Sequence, residues 1–444
     1  MGVESKFKVR NSRKTVLLVV LLTVILISSL LAVYVFMMKA DGVIYVGSEE
    51  ALVDAINNIV KPIVIAIHED VHLTKTLVIP ADKEITLTSN SYDDNFFKLI
   101  GADGYDTITV KDGGVLTVDG IIVTHALETT GRGVEVNFGG TLILSDGAIS
   151  GNAVASYGFG GGVLNDGTFS MSGGEISGNT IGGNGGGVGN RGVFVMSGGV
   201  ISGNNVTMVE ISAIVGVGGG VFTENDFTLS GGVIDNNHAV WEGGGVYVDF
   251  GLFSMSDDAV IANNRATGKG GGVCSNYEGA FKMFGGVICN NTANWGGGVN
   301  NRGVLEMSGN SKIVSNTAMG YGGGVYNDGN FKMYDYGIID SNTAGSSGGG
   351  VYTVDYFEMS DYSIIANNTA GNGGGVYIDG GIYYGYGVYS QGTFKMLGGT
   401  ISNNTATYGG GVYNRDGTFN RMDGVISNNK TTADDSDDVY NSKR

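Results

Sequence analysis

An all-β parallel solenoid built from coils of about 26 residues is the fold class that this 444-residue sequence predicts, and three recurring motifs predict it. The first is GGGV, which occurs ten times with its valine at 163, 188, 221, 246, 273, 299, 325, 351, 376 and 412. The second is an F-x-M triplet, as in Phe169/Met171, Phe253/Met255, Phe281/Met283, Phe331/Met333, Phe357/Met359 and Phe394/Met396, with Leu taking one place at Phe227/Leu229 and Leu305/Met307. The third is Ile-x-x-Asn, whose asparagines are Asn152, Asn179, Asn204, Asn237, Asn264, Asn291, Asn316, Asn342, Asn368, Asn404 and Asn429. Apolar residues two apart lie on one face of a strand, so each triplet reads as a strand with both large side chains turned inward. Three such segments per coil, separated by Gly, Asn and Asp, predict three strands per coil.

One coil cannot bury its own Val, Phe, Met and Ile, whereas stacked coils bury them in a continuous core. The residue between Phe and Met then faces outward, and in five successive coils it is Lys282, Glu306, Lys332, Glu358 and Lys395. Alternating charge at one register position favours in-register stacking. Composition excludes the competing readings. Gly occurs 80 times and Pro twice, which excludes collagen, and the fixed spacing of bulky apolar residues excludes a flexible Gly-rich linker. Successive GGGV spacings of 25, 33, 25, 27, 26, 26, 26, 25 and 36 place two insertions, at residues 208–214 and 383–389.

Residues 15–38 run without a charge, long enough for a helix to cross about 30 Å of hydrocarbon. Five cationic residues precede them, so residues 1–14 are expected as a cytoplasmic tail, 15–38 as a single-pass membrane anchor, and the rest as extracellular. Secretion after cleavage of a leader is the alternative, which the length of the apolar run and the residues after it fit poorly. Residues 1–40 carry a net +5 against −18 for the whole chain, leaving −23 beyond residue 40. That excludes nucleic acid as a partner and confers solubility. Residues 41–104 are expected as an N-terminal cap, including a short helix with Ser48 as N-cap and Leu52, Ala55, Ile56 and Ile59 on one face. Residues 105–430 hold the repeats, about thirteen coils or roughly 60 Å, and 431–444 form an acidic end where Asp437 and Asp438 replace glycines.

The cycle GGGVYN…GTFxMSGGxISxNTA resembles the repeats of adhesin-like surface proteins of methanogenic archaea and bacteria and, more distantly, those of chlamydial polymorphic outer-membrane proteins. The resemblance spans roughly residues 131–441 and implies the right-handed parallel β-helix of pectate-lyase-like proteins, with a surface-binding role. Two departures stand out: nothing resembles the C-terminal barrel of the chlamydial proteins, and Ile stands where their repeats carry Phe.

The asparagines recur in every coil, so they are expected to serve the coil as a hydrogen-bonded ladder. The residue after GGGV is Phe222, Tyr247, Tyr326, Tyr352, Tyr377 and Tyr413 in six coils, which predicts an exposed aromatic stripe suited to glycan or protein surfaces. Trp241 and Trp295, with Phe159, Tyr321 and Tyr408, sit in the segment just before GGG and could rim the same face. Asp166, Asp249, Asp328, Asp379 and Asp416 read as turn residues, so no catalytic residue, cofactor or metal site is assigned. His68 and His72 are expected on one strand face, and Cys274 and Cys289 as outward free thiols on different strands. Five N-x-T sequons begin at Asn205, Asn290, Asn367, Asn403 and Asn429. The leading expectation is a membrane-anchored surface protein binding glycans or other cell-surface partners. A polysaccharide lyase or glycoside hydrolase and a structural spacer are the alternatives.

Overall fold

The computed structural model describes residues 42–58, 62–89, 95–155, 157–207, 216–381, 391–433 and 437–442. The tail at 1–14, the expected anchor at 15–38, Ile59 and both insertions, at 208–214 and 383–389, lie outside them. Among the described residues no helix is long and apolar enough to cross a membrane. The described residues form a parallel β-solenoid whose coils stack into three sheets of 27, 11 and 14 strands. One coil shows the pattern. Val299–Asn301 joins the 14-stranded sheet, Val304–Met307 and Lys312–Val314 the 27-stranded sheet, and Thr317–Tyr321 the 11-stranded sheet. Each strand pairs in parallel with its counterpart one coil on, as in Val299↔Val325, Leu305↔Phe331, Ile313↔Ile339 and Thr317↔Thr343.

The coil thus has three sheets but four strands, one more than the motifs predict. The extra break falls at one bend. In the early coils Val115–His125 and Thr141–Ser150 run through it as single strands, with Gly120 (φ 88°) and Gly147 (φ 86°) at the bend. In later coils a positive-φ residue at the same place, such as Gly174 (φ 68°) or Asp335 (φ 54°), lies between two separate strands.

Side chains form columns along the stack. Every GGGV valine is fully buried, and the F-x-M phenylalanines stack nearly parallel at 4.6–5.2 Å between centroids, interrupted once by Leu305. Each such side chain contributes about 1.5–3 kcal/mol on burial. Ordering each of a coil's residues costs about 1–2 kcal/mol, so a lone coil cannot stand. The outward charges are in register as expected, with Lys282–Glu306 at 3.1 Å and Lys395–Glu358 at 3.3 Å.

The coils are pinned at one corner. Asn316 donates its backbone N–H (2.9 Å) and its Nδ2 (3.0 Å) to Oδ1 of Asn342, and Nδ2 also donates to the Ile288 carbonyl of the coil before (2.9 Å). The same arrangement repeats from Asn152 to Asn429, all buried. His125 Nδ1 meets Asn152 Oδ1 at 2.9 Å at one end, and Asn429 Nδ2 donates to Asp438 at 2.9 Å at the other. The residue before each ladder asparagine sits at φ 53–65°, so it is Gly, Asn or Ser: Gly151, Gly178, Asn263, Asn290, Ser315 and Asn367 among them. The sequon residues Asn290, Asn367 and Asn403 occupy this exposed corner, whereas Asn429 is buried in the ladder.

The glycines of GGGV complete the corner. A Cβ on Gly298 would lie 2.7 Å from the Gly324 carbonyl and 3.0 Å from Asn316 Nδ2. The coils approach there as closely as backbone allows.

At the N-terminal end the helix Glu49–Asn57 forms as expected, with Ser48 accepting from the Ala51 N–H at 3.2 Å and Leu52, Ala55 and Ile56 buried in the main core. The cap is shorter than residues 41–104, because Val43–Val46, Ile63–Ile67, Leu77–Ile79 and Glu84–Ser89 already pair as coil strands. His68 and His72 do not share a strand: Ile63–Ile67 ends before His68, and His72 belongs to Val71–His72 beyond a bend. Cys274 is fully buried rather than outward, and Cys289 is half-buried; both thiols are free.

Three substitutions separate the causes. Asn316→Ala strands the Asn291 donors as well as losing its own bonds and should lower stability by about 3 kcal/mol in denaturant unfolding, at about 1–3 kcal/mol per orphaned buried group. Gly298→Ala should be at least as damaging, whereas Gly178→Asn should leave the midpoint unchanged, because Gly178 (φ 60°) has open space around a Cβ and other coils carry Asn there.

Candidate functional site

The GGGV face carries a groove whose walls come from the path of the chain. After the 11-stranded sheet each coil runs outward, turns at a glycine such as Gly243 (φ 66°), Gly296 (φ 62°) or Gly322 (φ 66°), and returns along the two remaining glycines. The residues just before these turns bridge from coil to coil, as in Glu242↔Lys269, Lys269↔Trp295, Tyr321↔Ser347 and Ser347↔Asn372. They form an overhang above the strand that follows.

That overhang corrects the expected aromatic stripe. Phe222, Tyr247, Tyr326, Tyr352 and Tyr377 face away from the main core but are only 2–8% exposed, and Tyr413 is half-buried. They make satellite clusters with the overhang. Tyr326–Tyr352, Tyr352–Tyr377 and Tyr377–Tyr413 stack at 5.2, 4.9 and 5.0 Å within 10° of parallel, while Trp295 covers Tyr326 (5.4 Å) and Tyr321 packs on Tyr352 (4.9 Å). Coil spacing matches ring stacking, so each tyrosine face is covered by the next. Trp295 is half-buried with the Lys269 ammonium 4.8 Å over its ring. Trp241 is 43% exposed.

Opposite the overhang runs a column of charges just past the GGGV strands. Arg191 pairs with Asp166 (2.6 Å) and Arg415 approaches Asp379 (3.9 Å). Midway, Arg302 reaches back two coils to Glu242, closing the groove over Cys274; its Nη1 donates to Glu242 Oε2 at 2.9 Å. Burial pushes the Cys274 thiol far up, and the Glu242 carboxylate adds to that, so it is no nucleophile at neutral pH.

The clasp divides the groove into two hollows. One, of about 310 Å³, lies among Tyr157, Phe159, Phe222, Trp241 and Tyr247 with Glu224, Glu242 and Asp249. The other, of about 340 Å³, lies among Tyr321, Ser346, Ser347, Tyr352, Asn372, Tyr377, Asp379 and Arg415. In the second, the Tyr352 hydroxyl donates to Asp379 at 2.5 Å and Arg415 donates to the Tyr377 hydroxyl at 3.5 Å. Burial pushes the Tyr377 phenol up to about 12. In the first, desolvation raises the Glu224 carboxyl, opposed by Arg191 nearby.

Sequence reasoning missed Glu224 and Arg415, and assigned Asp249 and Asp379 to turns. A signal existed: this position, three past the GGGV valine, carries Asp or Glu in five coils, Arg in three, Asn in one and Val in one, where a pure turn residue would stay Asp, Asn or Gly. No group of three metal-ligating side chains occurs among the described residues.

Tyr352→Ser should lower stability by about 3 kcal/mol, as for truncation of a packed aromatic ring, rather than leave it unchanged as an exposed residue would; denaturant unfolding measures it. The Glu224 shift fixes a pH dependence. Its folded-state carboxyl binds protons more tightly than the unfolded value near 4.5, so the ionised form opposes folding as pH rises through that range. Glu224→Gln should therefore be more stable than the parent at pH 7, by under about 1 kcal/mol given its exposure, and the difference should vanish near pH 4.

Comparison of the chain with protein-family models, with curated proteins and with solved structures finds no match.

Proposed function

We propose that the chain is a cell-surface binding protein, held by residues 15–38 with residues 1–14 inside, whose right-handed solenoid presents the groove to glycans or other surface partners. The observation that carries this reading is the break in uniformity: residues that differ from coil to coil gather on one face, around two hollows, while the core repeats. The hollows are five coil steps apart, roughly 24 Å, which suits an extended chain of several sugars. Polar edges and carboxylates supply its contacts, because the tyrosine faces are covered.

A second reading has one specific support. Glu224 and Asp249 follow register partners, with the Asp249 N–H on the Thr223 carbonyl at 2.9 Å, and Glu224 has raised proton affinity. A carboxyl of raised proton affinity beside a second carboxylate is what retaining glycoside hydrolysis uses.

Glycan and whole-cell arrays with the full chain in detergent test the first reading. Binding should occur and should fall at least about tenfold, a loss of 1.4 kcal/mol, in Trp241→Ala or Asn372→Ala with the melting temperature held. Binding that ignores both substitutions would contradict it. New reducing ends released from a polysaccharide by the parent and not by Glu224→Gln would establish the second reading instead.

A further inference from the structure

We propose that the hollow around Trp241 binds an organic ammonium group, the free amine of a cationic glycan, held against aromatic walls and two carboxylates. The inference rests on the groove's binding role and names its chemistry.

Aromatic side chains wall the hollow. Phe222 and Tyr247 form the floor, 5.9 Å apart and nearly parallel. Phe159 leans over Phe222 at 5.3 Å and 35°, and Tyr157 meets Phe159 edge-on at 6.3 Å. Tyr157 and Trp241 remain 45% and 43% exposed, so here, unlike the Tyr326–Tyr413 stack, aromatic surface is open to a ligand. Phe159 also carries the Arg191 guanidinium 5.2 Å from its centroid, so a cation already rests against an aromatic ring at this margin.

Charge decides the ligand. Of the carboxylates here, Asp166 is paired with Arg191, and Glu242 with Arg302. Glu224 and Asp249 have no cation within ion-pair distance among the described residues; Asp249 accepts only the Asn276 amide, at 2.8 Å. The hollow therefore holds two carboxylates without an ion-pair partner among the described residues, Arg191 acting on Glu224 only from beyond ion-pair distance, inside an aromatic frame on a chain that is strongly acidic. An acidic sugar would be repelled. An ammonium gains cation–π attraction and two charge-assisted hydrogen bonds at once. A neutral sugar can donate its hydroxyls to the same carboxylates but gains neither the cation–π attraction nor the ion pairing.

The other hollow differs in kind, since Arg415 offers donors beside Asp379. That supplies an internal control.

The test is calorimetric titration of the full chain in detergent with three oligosaccharides of equal length: glucosamine, N-acetylglucosamine and galacturonate oligomers. The glucosamine oligomer should bind at least about tenfold more tightly than its N-acetylated counterpart. Glu224→Gln with Asp249→Asn, and separately Trp241→Ala, should each remove about tenfold, within the range of one cation–π contact. Asn372→Ala should keep that preference. Choline, titrated alone, shows whether the ammonium suffices without the sugar: weak binding lost in Trp241→Ala supports the proposal. Equal or tighter binding of the N-acetylated or acidic oligomer would overturn this inference and leave the groove's binding role intact. Failure of every oligomer and of choline would overturn both.

Discussion

Each coil of this chain is locked to the next at one buried corner, and the rest of the structure depends on that corner. There an asparagine amide donates forward to the next asparagine and back to an isoleucine carbonyl, and it accepts two hydrogen bonds from the asparagine before it. Three sequence requirements follow from one geometry. The residue before the amide must adopt positive φ, the returning strand must offer glycines, and the isoleucine three positions before the asparagine must face inward. The ladder runs in one direction and is closed by His125 and Asp438.

Because the corner fixes register, every other column follows. Phenylalanines stack on phenylalanines, and lysines meet glutamates. Tyrosines stack on tyrosines outside the core. The GGGV face alone escapes this uniformity, since the overhang before its glycines varies in sequence from Glu242 to Lys269 to Trp295 to Tyr321. A repeat that dictates the interior leaves that face free to diversify, and it is where the hollows and the charge column lie.

The architecture was legible because it is periodic. Coil length, the ladder, the phenylalanine column, the Lys/Glu register and the Ser48-capped helix were all readable from spacing and residue type. The tyrosines were misread for a definite reason. Alternation tells which side of a strand a residue leaves, and Tyr352 does leave away from the core; it does not tell what lies over that side. The covering residues, Trp295 and Tyr321, precede the GGGV strand one coil before Tyr326 and Tyr352, so pairing the two aromatic sets across neighbouring coils would have revealed the satellite clusters. Cys274 was misplaced by the same error. The fourth strand was hidden because Gly-Gly between Met and Ile reads as a strand end or as a kink. Glu224 and Arg415 escaped notice because the position three past the GGGV valine is Asp in four coils and reads as a turn when each coil is taken alone.

The central claim is that the asparagine corner, more than the apolar core, holds the coils in register. Native-state hydrogen exchange of the full chain tests it directly. The backbone amides of Asn179 to Asn404 should exchange more slowly than those of the F-x-M strands in the same coils, with protection falling only within the last coil or two toward Asn429. Ladder amides that exchange as fast as the turn residues beside them, while the F-x-M strands stay protected, would contradict it.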